Sequence, residues 1–159
     1  MYLLGIDIGT SSIKASVVDV HTKKCVAAAQ YPDSETPITS LQTGWAEQSP
    51  ELWWHHVQEA ILKLNATKKY NPTDISAIGI AYQMHGLVLV DKDQNVLRDS
   101  IIWCDSRAVA MGNEAFDRIG NEKCLSHLLN SPGNFTASKL AWVKENEPSV
   151  YEKIATVML

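Results

Sequence analysis

The sequence predicts an α/β protein, a mixed β-sheet with helices on its faces. Three observations carry this. The first thirty residues hold three short apolar runs, one of them alternating at Ile13, Ala15 and Val17 as a half-buried strand does. Trp53, Val57, Ala60, Ile61 and Leu64 recur at helical spacing. A further apolar run, 75–82, follows that helix, and the order βββ-α-β-α sets helices against a sheet.

The strands at 2–8, 13–20 and 25–30 come first, and the short polar turn 21–24 makes a hairpin of the second and third. A loop rich in Ser, Thr and Pro spans 32–48. Ser49 then caps a helix whose first position is Pro50, where a missing N–H is harmless. After the strand 75–82, strands at 87–90 and 96–103 flank the turn 91–95. Asp105 or Ser106 caps a helix carrying Ala108, Met111, Ala115 and Ile119. Another helix covers 136–146, stopped by Pro148, because the residue before proline avoids the helical region. Ser149 to Glu152 has capping-box spacing for a short last helix. The apolar, strand-like run 155–159 leads to the expectation that a longer protein continues beyond it.

Composition narrows the function classes. A length of 159 residues is enough for one domain with its own core, and 45% hydrophobic content is ordinary for a globular chain. The net charge of −4 and the absence of a basic cluster speak against a nucleic-acid partner. Three cysteines without C-x-x-C spacing argue against a disulfide framework and a zinc site and for a reducing compartment. No basic leader segment and no membrane-length apolar run is present, so the expected location is the cytoplasm, with no membrane partner.

The chemistry is concentrated at Gly5-Ile6-Asp7-Ile8-Gly9-Thr10-Ser11-Ser12, between the first two strands. Gly9, Thr10, Ser11 and Ser12 offer small hydroxyls and backbone N–H groups of the kind that nest around a phosphate. Asp7 beside a phosphate makes sense only with a cation between them, and Mg²⁺, held through water, is the simplest. Lys14 adds a positive charge just beyond. The plain alternative is that Asp7 and Gly9 only make a hairpin turn. No Walker-type or dinucleotide-binding glycine pattern is present.

Gln83-Met84-His85-Gly86 follows the strand 75–82, and ligands of open α/β sheets bind beyond strand carboxyl ends. With Gly86 allowing a sharp turn, His85 could hydrogen-bond a polyol and Met84 could cover its carbon face, or the histidine could be structural. Asp105 and Arg107 could wall a polar pocket, or be a cap and a surface arginine. Trp45 could stack on a sugar or seal the core, and Asn134 could reach a ligand or satisfy its own turn. Trp53 and Trp54 read as packing. His21, His55, His56 and His127 have no metal-ligand spacing and read as surface or packing residues.

Taken in order, Gly5 to Lys14, Gly44 to Pro50, Trp53-Trp54, Gln83 to Gly86, Trp103 to Arg107 and Gly133 to Lys139 resemble the FGGY family of carbohydrate kinases over nearly the whole chain. The resemblance implies a ribonuclease H-like, actin-like ATPase fold, this chain (1–159) being the N-terminal domain of a two-domain kinase. It implies ATP and Mg²⁺ as cofactors and a small sugar as substrate, and it leaves room for a homodimer. Asp7 would then stand near Mg²⁺ and Thr10, Ser11, Ser12 and Lys14, with Gly9 in the same loop, near the phosphates; Met84 and His85 would touch the sugar, and Asp105, Arg107 and Asn134 are the further candidates for its pocket. The implied acceptor is the 5-hydroxyl of D-xylulose, with D-gluconate second. The family's general base and adenine pocket have no counterpart in these 159 residues, so the isolated chain is expected to be inactive. A non-catalytic sugar-binding domain is the reading from another class.

Overall fold

Alternation becomes sheet at the start of the chain. Strands β1 (Tyr2–Ile8) and β2 (Ile13–Asp19) pair antiparallel, with Asp7 opposite Lys14 and Ile8 opposite Ile13. β3 (Lys24–Tyr31) continues the hairpin on the far side of β2. Helix α1 (Pro50–Ala66) starts at the expected proline. After it, β5 (Ile75–Tyr82) lies parallel to β1, which gives a mixed sheet of order β3-β2-β1-β5.

The structure, a computed structural model, describes all residues Met1–Leu159, and they form two compact units. The first comprises Met1–Pro37 and Glu51–Gln83. Its core joins Leu4 and Ile6 of β1, Ile13, Ala15 and Val17 of β2 and Ala27 of β3 to Val57, Ala60 and Leu64 of α1. Full burial of a side chain such as Leu64 stabilises by about 2 kcal/mol.

The helical stripe is displaced from its expected place. His56 is buried with Val57, Ala60 and Leu64, whereas Trp53 is half-buried and Trp54 is 63% exposed. The His56 ring meets Tyr31 edge-on at 5.1 Å, and its Nδ1 lies 3.4 Å from the Thr36 hydroxyl. Burial lowers its pKa below 6.5, helped by the neighbouring His55. Strand β5 is apolar as expected, yet Ile78, Ile80 and Tyr82 are exposed.

The second unit comprises Ile38–Pro50 and Met84–Leu159. Two short antiparallel pairs organise it, β4 (Glu47–Gln48) with β7 (Ser100–Ile101) and β6 (Val88–Val90) with β8 (Thr156–Met158). Its core is Leu87, Leu89, Ile101 and Val143. The strand expected over 96–103 is reduced to two residues, because Arg98 turns inward to an ion-pair network and breaks the alternation. The turn 91–95 forms as expected: the Asp91 carboxylate accepts N–H bonds from Asp93 and Asn95 at 2.9 Å.

Helix α2 (Val109–Ile119) is capped at Ala108 with no side-chain bond, so neither Asp105 nor Ser106 is its cap. Helix α3 (Asn121–Leu128), absent from the sequence reading, buries only Cys124. Helix α4 (Thr136–Asn146) matches its expected range, and α5 (Pro148–Tyr151) follows with Glu147, not Ser149, in the capping position. A Cβ on Gly112 of α2 would stand 2.3 Å from the Gly133 Cα, so glycine sets this close approach. No helix is long and apolar enough to cross a membrane. Cys25, Cys104 and Cys124 are free thiols.

Candidate functional site

In the first unit, Leu4 and Ile6 point into the core against α1, so Gly5 and Asp7 face the opposite side of the sheet. That side is an open concave surface lined by Gly5, Asp7, Lys14, Ser16, Gly79 and Ala81. Asp7 and Lys14 are cross-strand neighbours there, with Oδ2 and Nζ 3.9 Å apart and both side chains half exposed. An exposed pair at that distance is worth well under about 1 kcal/mol, so either partner can turn to a ligand at little cost.

The loop Gly9-Thr10-Ser11-Ser12 closes the hairpin above them. Gly9 is required for a steric reason: a Cβ would come within 2.9 Å of the Ser12 carbonyl oxygen. The Ser11 residue is exposed, while Ser12 is buried and its neighbour's carbonyl accepts the Thr36 N–H at 2.7 Å. The Thr10 hydroxyl donates to Gln83 Oε1 at 3.1 Å, and the Gln83 N–H donates to the Ile8 carbonyl at 3.2 Å. Gln83 therefore braces the hairpin from the end of β5. Its buried Nε2 has no partner. No local motif displays this role, because the bracing residues lie far apart in the chain.

In the second unit, the turn that begins at Met84 differs from the expected one. His85, not Gly86, carries the left-handed backbone, with φ of 63°. For a non-glycine residue this costs roughly 1 kcal/mol, and surrounding contacts must hold it. The His85 ring stacks on Phe135 at 4.6 Å and 17°. Its carbonyl accepts the Lys139 ammonium at 2.6 Å, and the same ammonium donates to the Asn134 carbonyl at 3.0 Å. Met84 is exposed beside it, and Asn134 is exposed on the Pro132–Asn134 turn. His85 and Asn134, residues separated by half the unit's sequence, are thus joined through one lysine. Lys139 is fully buried, and desolvation lowers its pKa to about 8 against the opposing pull of Asp105 and Cys104, with Arg107 adding to the lowering.

Asp105 and Arg107 are not a cap and a surface arginine. The Asp105 carboxylate is wholly buried and accepts the Ala46 N–H at 2.5 Å. The Arg107 guanidinium, 1% exposed, pairs with it at 2.8 Å. Arg107 Nη1 also lies 2.7 Å from Glu47 Oε1, though without an aligned hydrogen bond. Glu47 in turn pairs with Arg98, and Arg98 with Glu147 at 2.6 Å. Trp45 stacks on the Arg107 guanidinium at 3.8 Å and meets Trp142 edge-on at 5.2 Å. Its partner is therefore an arginine of the same unit. Asp105 and Arg107, expected to face a sugar, are committed to the 44–47 loop and hold it in place.

The family model "FGGY family of carbohydrate kinases, N-terminal domain" matches residues 2–159. The xylulose kinase of Bacillus subtilis (strain 168) is 35% identical over 99% of this chain, which spans 31% of that relative's length. Among solved structures, a xyloylose kinase from Brucella ovis superposes with a TM-score of 0.87 at 34% identity, over 100% of this chain and 32% of the other. The gluconate kinase from Lactobacillus acidophilus gives 0.83 at 28% identity, over 99% of this chain and 31% of the other. The chain thus spans about a third of the length of the relatives it matches.

Proposed function

We propose that this chain, which belongs to the FGGY family of carbohydrate kinases, forms the phosphate-side hairpin and the sugar-facing turn of a kinase. The reaction is transfer of the γ-phosphoryl group of ATP to the 5-hydroxyl of D-xylulose. The observation that carries the reading is the half-exposed Asp7–Lys14 pair on the open face of the sheet, under a hydroxyl-rich loop, in a chain whose full length aligns with about a third of the length of proteins named xylulose kinase. A bare aspartate and a lysine poised at a glycine-bearing hairpin suit a magnesium-bound polyphosphate better than they suit an apolar or purely cationic ligand.

Bound Mg²⁺ neutralises phosphate charge and draws off the charge that builds up during transfer. Asp7 would hold the cation through water, with phosphate oxygens completing its shell. Lys14 adds a point charge, Ser11 offers an exposed hydroxyl, and Gly9 lets a phosphate approach the backbone. His85 and Met84 present a polar and an apolar face to the sugar, and Asn134 adds an amide. This chain matches the N-terminal-domain model of the family and spans about a third of its relatives' length, so the general base and the adenine pocket are not assigned to its residues. The three free thiols support a cytoplasmic setting.

The test is sugar-dependent ADP release by the full-length protein across D-xylulose, D-ribulose, L-ribulose, glycerol and D-gluconate. Preference for D-xylulose is expected. Preference for D-gluconate would move the substrate, and would be hard to reconcile with Arg107, whose guanidinium is sealed among protein partners. No release with any sugar would overturn the kinase reading in favour of a binding domain.

A further inference from the structure

We infer that Lys139 is a positioning residue for the sugar-facing turn, its ammonium clamping the main chain of His85 to that of Asn134 so that the two side chains meet a sugar as one rigid unit. This rests on the sugar-facing reading of His85 given above.

Lys139 lies on α4 and is fully buried. A buried ammonium is unfavourable unless its donors are used, and a leucine or methionine would fill the same space without that penalty. Lys139 forms no ion pair. Its ammonium goes instead to two main-chain carbonyls from separate segments, His85 at 2.6 Å and Asn134 at 3.0 Å. Both carbonyls belong to residues that need holding: His85 has the left-handed backbone, and Asn134 is the exposed end of a short turn.

The consequence reaches the side chains. Asn134 is followed directly by Phe135, whose ring carries the stacked imidazole of His85. Fixing the two carbonyls therefore fixes the plane in which the imidazole lies. The Thr136 hydroxyl, donating to the Gly86 carbonyl at 2.9 Å, is a second strap across the same gap. The groups that bear on the ammonium are Asp105 and Cys104, which favour its charge, and Arg107, which opposes it, all on the 104–107 segment, with the His85 imidazole on the facing turn. Desolvation outweighs the favourable pair and brings the pKa to about 8. The clamp is thus a full ammonium at neutral pH and a weaker amine in mildly alkaline solution.

The experiment is steady-state kinetics of the full-length protein with D-xylulose and ATP, comparing wild type, Lys139→Met and Lys139→Arg. Loss of two charge-assisted hydrogen bonds should raise the sugar KM of Lys139→Met by about tenfold or more, with the ATP KM within about twofold. Lys139→Arg, which keeps the donors, should recover much of the loss. An unchanged sugar KM in Lys139→Met, or equal changes for sugar and ATP, overturns the proposal. If Lys139→Met does not fold, the wild-type pH profile decides. The sugar KM should rise between about pH 7 and 9.5 while the ATP KM stays level, and a flat sugar profile overturns the clamp. If no sugar supports ADP release in wild type, it is the sugar reading that falls. The clamp is then read from the proton shifts of the His85 ring, displaced by the Phe135 stack: their loss in Lys139→Met, or their partial decrease in wild type between about pH 7 and 9.5 if that variant is unfolded, supports it, and shifts that do not move overturn it.

Discussion

The two units handle charge in opposite ways. In the first, Asp7 and Lys14 stand half exposed on an open sheet face, 3.9 Å apart, and the loop above them is shaped by backbone constraints at Gly9 and by the Gln83 brace. In the second, Asp105, Arg107, Glu47 and Arg98 are sealed in a continuous network that ends on the part-buried Glu147, and Lys139 is buried close by. In that network three carboxylates meet two guanidinium groups, while the Lys139 ammonium stands outside any ion pair and is held by main-chain carbonyls. The difference teaches that charge left loosely paired is available for a ligand, whereas charge sealed among partners defines the shape of a loop.

Mutations can break this contrast. Asp7→Asn keeps the shape of the hairpin and removes the charge. The expected result is a fall in kcat of about a thousandfold or more in the full-length protein, with an unchanged melting temperature. Similar kcat with a lowered melting temperature would make Asp7 structural. Glu47→Ala should do the reverse, destabilising the fold by about 3–5 kcal/mol by leaving two buried arginines short of a carboxylate. Denaturant titration measures this, and a loss below about 1 kcal/mol would mean that water or rearrangement replaces the pair.

Much of this was legible in the sequence where the determinants are local. The three N-terminal strands, the Pro50 helix start and the 136–146 helix each rest on periodicity or on a proline, and each stands where expected. The misreadings fall where a distant partner overrides the local pattern. Asp105 has the look of a helix cap, but its carboxylate is taken by the Ala46 N–H, 59 residues away. Arg98 interrupts a strand because Glu47 and Glu147 draw it inward. His56 replaces Trp53 in the buried stripe because Tyr31 and Thr36 receive its ring. Of the candidate site, Asp7, Lys14 and His85 were visible from spacing, while Gln83 and Lys139 act through main-chain or long-range contacts that no motif displays.

Smaller effects sharpen the comparison. Gly9→Ala should shift the loop away from the Ser12 carbonyl, costing about 1 kcal/mol or more of stability and raising the ATP KM. An ATP KM at the wild-type value would separate the loop from phosphate binding. His56 offers a pH test in the first unit. Its folded pKa lies below that of the unfolded chain, so the unfolded state takes up the proton first, and stability is lost as pH falls through about 6.5 and is level above it. Thermal melts between about pH 5 and 7.5 should show this slope, and His56→Gln should flatten it.

The central claim is the division of labour, phosphate to the hairpin of the first unit and sugar to the turn of the second. Its most direct measurement is the kinetic partition of His85→Ala in the full-length protein. The account predicts a D-xylulose KM raised by about tenfold or more, with kcat and the ATP KM within about threefold of wild type. An equal rise in the ATP KM, or a kcat loss as deep as that of Asp7→Asn with the sugar KM unchanged, would contradict it.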